Sequence, residues 1–296
     1  MAGDIEAASP ALCRLRLGIE LRKLRKAKGL VGQEVANLTA WSPAKITRLE
    51  TGDKPVEPMD VRVLCQLYDA DEETASRLEG YAFVTKTKRD WWQSSQYRPV
   101  IRPGFDAFIG LEAIAAELHE YQPEFIPGLL QTEEYVRTGH TTVRQNAVRQ
   151  DLAADEVQRR IEVRLTRQGI LTRNDHPLKL TAIVSEAVLR RVVGGAELMK
   201  RQLAHLVEVG QLPNVTLQVV PFSAGAHPCM GAPFIVLQFP DPAIKPIVYL
   251  ENLVTTVVTS KEDDVEKCEV RFSDLATIAL GHEESLSVIE KVRKEL

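Results

Sequence analysis

The stretch that decides the fold is VGQEVANLTAWSPAKITRLETG, residues Val31 to Gly52. Its first part, Gly32 to Leu38, is spaced to bury Val35 and either Leu38 or Ala36 on one side of a short helix. Thr39 to Trp41 leave room only for a tight turn. Ser42 is a good N-cap because its hydroxyl can accept from an otherwise orphaned backbone N–H. Pro43 takes the first helical position, where a missing N–H costs nothing. The helix that follows runs through Ile46 and Leu49 to a stop at Gly52. Two short helices at a tight turn, the second firmly capped, let one helix cross a phosphate backbone while the next enters the major groove.

Upstream, Leu17, Leu21 and Leu24 recur at helical spacing with Arg22, Lys23, Arg25 and Lys26 between them, and Gly29 stops this basic amphipathic helix. Residues 1–13 are small and polar and read as a flexible leader. Downstream, Pro55 and Pro58 bracket a new start. Val61, Leu64, Cys65 and Tyr68 form the apolar face of a fourth helix, and Asp71 opens a fifth that carries Ala75, Leu78, Tyr81 and Ala82. Residues 14–85 therefore read as a compact all-α, five-helix domain.

Charge supports the same assignment. Between residues 14 and 54, Arg14, Arg16, Arg22, Lys23, Arg25, Lys26, Lys28, Lys45, Arg48 and Lys54 stand against only Glu20, Glu34, Glu50 and Asp53, a local charge of +6 in a chain of net charge −4. The remainder is thus at −10, so a polyanionic partner belongs at the N-terminal end. With 296 residues, 44% hydrophobic and 26% charged, the chain is long enough for two domains of ordinary globular composition. It shows neither a signal-like start nor an apolar run of about 18 residues, which points to a cytoplasmic protein, nucleoid-associated when on DNA, with no membrane partner. Cys13, Cys65, Cys229 and Cys268 are scattered, without metal-site spacing, and read as reduced thiols; no metal or cofactor is expected.

Residues 86–107, with Lys86, Lys88, Arg89, the pair Trp91 and Trp92, then Pro99, Pro103 and Gly104, read as a semi-rigid linker whose tryptophans pack against a domain or a second subunit. Helical patterns then occupy about 111–120, 131–138, 154–171, 186–192 and 195–210. β-Branched runs follow at Val215–Pro221, Phe234–Phe239, Ile247–Leu250 and Val254–Thr259, and helices at about 262–279 and 283–294 close the chain. Residues 108–296 thus read as an α+β domain with a mainly antiparallel sheet, so the chain is α+β overall.

The run from Ser42 through Lys45, Ile46, Arg48, Leu49 and Glu50 to Gly52 resembles the Xre, or Cro and lambda-repressor, class of helix-turn-helix regulators, over about residues 17–82. In that light Pro43, Ala44, Lys45, Thr47 and Arg48, behind the cap Ser42, lie where such domains reach base edges. Lys45 is the first choice, since a lysine can donate to guanine O6 and N7. Arg48 either reaches DNA or pairs with Glu50 or Glu34. Gln33, Thr51 and Lys54 are candidate phosphate contacts, and Lys54 is also near enough to read a groove. Three positions depart from the class: Val31 where Ser or Thr usually caps, Gly32 where a phosphate-binding Gln is common, and Ala40 where Gly usually makes the turn.

FIPGLLQTEEY (Phe125–Tyr135), the RLTRQGIL run within Arg160–Leu171, Val192–Leu203, NVTLQVVPFSAGAH (Asn214–His227), Phe234–Phe239 and Val248–Glu251 resemble a domain that often follows an Xre-type domain in actinobacterial, especially Streptomyces, regulators of the WhiJ kind. The resemblance implies a regulator, often discussed as the antitoxin-like half of a pair with a small protein encoded nearby.

Enzyme-like features have simpler explanations. The Gly-rich loop Ser223–Gly231, with His227 and Cys229, is an ordinary strand connection. Glu186, His227, Glu251 and Asn252 are candidates to line an effector pocket. No triad order, phosphate loop or metal spacing is present in the sequence, and the expectation is a non-enzymatic repressor. It would bind a pseudo-palindromic double-stranded operator as a homodimer and receive a small molecule or small protein at its second domain. The alternative is an antitoxin-like protein that sequesters a small neighbour, with DNA binding secondary.

Overall fold

A computed structural model describes residues 10–52, 56–102, 104–139, 153–174, 176–242, 244–252 and 255–296. The chain divides into two compact units, Met1–Ser95 with Asp241–Ile244, and Gln96–Pro240 with Lys245–Leu296.

The first unit is built from five helices: α1 (Pro10–Ala27), α2 (Gly32–Thr39), α3 (Pro43–Thr51), α4 (Pro58–Leu67) and α5 (Glu72–Thr87). α1 begins earlier than the sequence suggests: residues 10–13 of the expected leader are helical, and Ala11 and Cys13 are buried. Residues 1–9 lie outside the described residues, as do Lys54, Pro103 and Val254. One core joins Leu17 and Leu21 of α1, Val35 and Ala36 of α2, Ile46 and Leu49 of α3, Val61, Leu64 and Cys65 of α4, and Leu78, Tyr81 and Ala82 of α5. Leu38 is 63% exposed, so Ala36 is the residue that α2 buries beside Val35. Arg14 donates to Asp90 in a buried ion pair at 3.2 Å. In the stretch read as a linker, Trp92 is buried and meets Trp91 edge-on with centroids 5.6 Å apart.

The second unit is α+β. In chain order it comprises α6 (Phe105–Ile114), β1 (Glu117–Gln122), α7 (Glu133–Thr138), α8 (Ala154–Gln168), β2 (Lys179–Ser185), α9 (Glu186–Arg190), α10 (Ala196–Val209) and β3 (Val215–Val220). Then come β4 (Phe234–Gln238), β5 (Ile247–Glu251), β6 (Thr256–Thr259), α11 (Glu262–Ile278) and α12 (His282–Glu295). The sheet order is β3-β2-β1-β4-β5-β6. Among the described residues β1 pairs in parallel with β2, and β2 with β3, whereas β1–β4, β4–β5 and β5–β6 are antiparallel. The sheet is therefore mixed, a refinement of the mainly antiparallel expectation. Its parallel half follows from the long helical crossovers before β2 and β3, and its antiparallel half from the shorter connections around β5. Residues 111–120, read as one helix, split between the end of α6 and β1, which occupies the middle of the sheet.

Strand alternation divides the core between two faces. Leu118, Leu180, Ala182, Leu217, Leu237 and Tyr249 pack with Phe108 of α6, Leu203 of α10 and Ile289 of α12. Tyr121, Ile183, Phe234, Val236 and Val248 pack with Val265, Phe272 and Leu275 of α11. The free edge of β3 is covered by the α11–α12 corner. His282 accepts the Leu217 N–H through Nδ1 at 3.0 Å and donates from Nε2 to the Gly210 carbonyl, and the Ser285 hydroxyl accepts the Val219 N–H at 3.0 Å.

Candidate nucleic-acid interface

The α2–turn–α3 segment is held from both ends. At its entry the Val31 side chain supplies no cap, but Glu34 reaches back to accept the Val31 N–H at 2.8 Å, half of a capping box. At the turn Ala40 adopts φ 57°, the left-handed conformation that favours glycine. The Ser42 hydroxyl accepts the Lys45 N–H at 3.2 Å and caps α3, which Gly52 ends at φ 72°.

α1 fixes the far end of α3. A Cβ on Gly18 would stand 2.6 Å from the Glu50 carbonyl oxygen and 3.1 Å from that of Leu49; a Cβ on Gly52 would stand 2.9 Å from the Arg14 carbonyl oxygen. The two backbones are thus in contact where side chains would separate them. Beside this contact the Arg25 guanidinium grips the Glu50 carboxylate with two nitrogens, the second at 2.8 Å, and donates to the Leu30 carbonyl. Arg25, placed by sequence among the basic residues of a helix face, is therefore a brace. The sequence signal that could have found the contact is a glycine in the middle of an otherwise good helix.

The face of α3 turned away from the core carries Pro43, Ala44, Thr47, Arg48 and Thr51, all exposed. Thr47 donates to the Pro43 carbonyl, Thr51 to that of Arg48, and Arg48 to that of Ala44 at 3.2 Å. Of the two partners considered for Arg48, Glu50 is taken by Arg25 and Glu34 by the Val31 N–H. The Arg48 guanidinium is left on the outer face. Lys45 is differently placed. Its Nζ lies 2.8 Å from the Asp60 carboxylate of α4 and 3.6 Å from the centroid of the Trp41 ring, so the ammonium is engaged within the unit. Gln33 is exposed on α2 and bonds to Asn37.

Four residues of the second unit were candidates for a pocket, and they do not converge. Glu186 at the start of α9 accepts from the Phe222 N–H at 2.9 Å and from Arg190. Against a desolvation that would raise it, these bonds hold its carboxyl below the usual range. His227 touches Tyr121 on the α11 side of the sheet and accepts the Cys229 N–H. Glu251 lies on the opposite face, bonded by the Tyr249 hydroxyl at 3.0 Å and by Arg102. Asn252 closes the β5–β6 turn by accepting the Thr255 N–H. Sequence reading missed the most deeply buried charges of this unit: Arg167 grips Glu112 with two bonds of 2.7 Å, and Glu120 is buried on β1 with Gln122 as its donor. Burial pushes the Glu120 carboxyl up to about 7.

Two family models match the chain. Residues 16–78 match a helix-turn-helix domain, and residues 105–291 match a domain described as a domain of unknown function, DUF5753. The chain belongs to the DUF5753 family. No curated protein and no solved structure matches it significantly. The DUF5753 match takes in every strand of the second unit, and the helix-turn-helix match takes in α2, α3 and the glycine contact on α1. A DUF5753 protein with a helix-turn-helix domain in front is a helix-turn-helix regulator, which points to DNA binding and transcription regulation. Among the described residues no helix is long and apolar enough to cross a membrane.

Proposed function

We propose that this DUF5753 protein is a sequence-specific transcriptional repressor of the Xre type that binds a pseudo-palindromic operator as a homodimer, with the second unit receiving a small molecule or small protein. The observation that carries the reading is the outer face of α3. The helix is capped by Ser42, fixed from behind by the Gly18 contact and the Arg25–Glu50 pair, and presents Arg48 with Pro43, Ala44 and Thr47 to solvent. An arginine at that position can take both guanine acceptors, while Ala44 suits a thymine methyl. Two half-sites about 34 Å apart would give the contact area that one small domain lacks. The WhiJ-like, antitoxin-like and actinobacterial aspects rest on the sequence resemblance, and cytoplasmic localisation on the proposed work at DNA.

The reading is tested by selecting bound sequences from a random duplex library and repeating the selection with Arg48→Ala. The expected result is a two-fold symmetric consensus whose discrimination at one base pair per half-site falls by about 1–3 kcal/mol in the variant. An unchanged consensus and affinity would remove α3 from the role of reader.

The second reading, an antitoxin-like protein for which DNA is secondary, is favoured by the engagement of Lys45 with Asp60 and Trp41, which takes one base-reading donor away from the face. A small protein that co-purifies in equal amount, without any selected duplex, would establish it. The proposal of a non-enzyme is supported at the one loop that resembles a nucleophile site. The Cys229 thiol is buried, donates to the Arg271 carbonyl and is pushed up to about 11 by desolvation, so it is not a thiolate at neutral pH.

A further inference from the structure

The two edges of the sheet are treated differently. On β3 the outward peptide groups of Leu217 and Val219 are met by His282, Ser285 and the Leu280 N–H. β6, the other edge, has no such cover among the described residues, and both its valines are exposed, Val257 at 41% and Val258 at 42%. Natural edges are guarded by lysine, proline, a bulge or a covering segment. The Thr-Val-Val-Thr sequence of β6 has none of the side-chain guards.

Which groups face outward follows from the hairpin. Asn252 donates to the Thr255 carbonyl at 3.0 Å, so these two form a hydrogen-bonded pair. Bonded and non-bonded pairs alternate along an antiparallel ladder. In the β5–β6 register, Leu250–Val257 and Val248–Thr259 are then bonded, and Glu251–Thr256 and Tyr249–Val258 are not. The peptide groups of Thr256 and Val258 therefore point away from β5. Val258 has no partner for them among the described residues, and the Thr256 carbonyl has a 3.5 Å contact from the Thr255 hydroxyl.

We infer that β6 is a dimerisation edge whose occupant is β6 of a second copy of this chain, paired antiparallel about a two-fold axis through Val257. A two-fold axis perpendicular to a sheet keeps each face continuous, so residues directly opposite must share a face and the axis must pass through a residue pair. Centred on Val257, Thr256 of one copy exchanges both peptide bonds with Val258 of the other, and the converse. The outward groups of the strand are then satisfied on both copies. The two Val257 side chains meet in the close, non-bonded position, where β-branched pairs stabilise a ladder. A peptide strand from another protein would satisfy the same groups, but the symmetric fit is supplied by the strand itself, and no like charges are brought together. The result would be one continuous sheet running through both copies. The inference rests on the dimeric reading above and gives that dimer its surface.

The test is sedimentation of the full chain without DNA, comparing wild type with Val257→Glu, Val257→Lys and Val258→Pro. Wild type is expected at twice 33.0 kDa. Either charged variant alone sets like charges against each other across the axis, and dissociation should be favoured at least about tenfold. Val258→Pro removes an outward donor while leaving the β5 ladder its bonds, and should also be monomeric. An equimolar mixture of the Glu and Lys variants should recover the dimer, which misfolded variants could not do. A dimer insensitive to all three substitutions, or a mixture that stays monomeric, would overturn this surface while leaving the DNA-binding reading to its own selection experiment. A monomeric wild type at micromolar concentration would overturn both the surface and the dimeric reading.

Discussion

Substituting Gly18 by Ala separates two opposing effects that the structure makes unequal. In an exposed helix interior the change would be favourable by about 0.8–1.0 kcal/mol, the difference in helix propensity. Here the new methyl would sit 2.6 Å from the Glu50 carbonyl oxygen, against an ordinary limit of 3.4 Å, and its other near neighbours are also backbone. α1 and the end of α3 must separate by up to roughly 0.8 Å, and over-packing of this kind costs about 1–3 kcal/mol. Because no flexible side chain can yield, the second term wins, with a net loss of up to about 2 kcal/mol and a Tm lower by about 4–8 °C for each kcal/mol. Tryptophan fluorescence isolates this transition, since the three tryptophans, Trp41, Trp91 and Trp92, all belong to the first unit. Gly32→Ala is the control: its methyl meets only the Ile46 side chain, at 3.9 Å, and should be neutral or stabilising. Operator affinity should fall in Gly18→Ala because the reading helix is displaced at one end. A Gly18→Ala protein as stable as the Gly32→Ala protein, with unchanged affinity, would refute the close-contact argument.

Ala40→Gly should stabilise the first unit by about 0.5–1 kcal/mol in thermal unfolding, because it relieves a left-handed alanine, and a lower Tm would contradict that origin. Asp60→Ala frees the Lys45 ammonium. Measured against salt concentration, DNA affinity should rise and the slope of log K on log salt should steepen by about 0.9, one more phosphate contact; an unchanged slope would mean that Lys45 stays on Trp41. Glu120 has a folded pKa raised above its unfolded value, so the folded state holds its proton more tightly. The contribution of Glu120 to the stability of the second unit is then greatest below about pH 4.5, declines as pH rises toward 7, and stays low above it, a difference of about 3 kcal/mol. Glu120→Gln keeps the carbonyl that accepts from Gln122 and should flatten that decline in denaturant titrations at pH 5 and pH 8; equal pH dependence in both proteins would sink the assignment.

The first unit was legible because its signals are local. Ser42, Pro43 and Gly52 delimit α3 by cap and stop chemistry, and the positions of Val35, Ile46 and Leu49 fix which faces are buried. What sequence could not show were contacts across long separations. Lys45 reads as a free cation until the fold brings Asp60 beside it, and Glu50 reads as a partner for Arg48 until α1 delivers Arg25. In the second unit β1 reads as the end of a helix because Glu117, His119, Glu120 and Gln122 obscure an apolar period, although the strand lies mid-sheet and Glu120 is buried. β2, with Leu180, Ala182, Ile183 and Val184 buried on both faces, lacks the alternation of a half-exposed strand and gives no strand signal in the sequence. Arg167 and Glu112 are partners 55 positions apart, a separation at which spacing carries no information.

The way β3 is covered also sets an order of events during synthesis. Its edge is completed by His282 and Ser285, more than sixty positions after Leu217 and Val219 have been made, and β1 waits just as long for β2. The five helices of the first unit, by contrast, find nearly all their core partners within the first ninety residues. Translation proceeds from the N-terminus and domains fold as they emerge. A nascent chain therefore carries a formed helix-turn-helix while the sheet that follows it is still open, and a ribosome stalled before α12 would display a folded first unit followed by a sheet whose β3 edge is not yet covered.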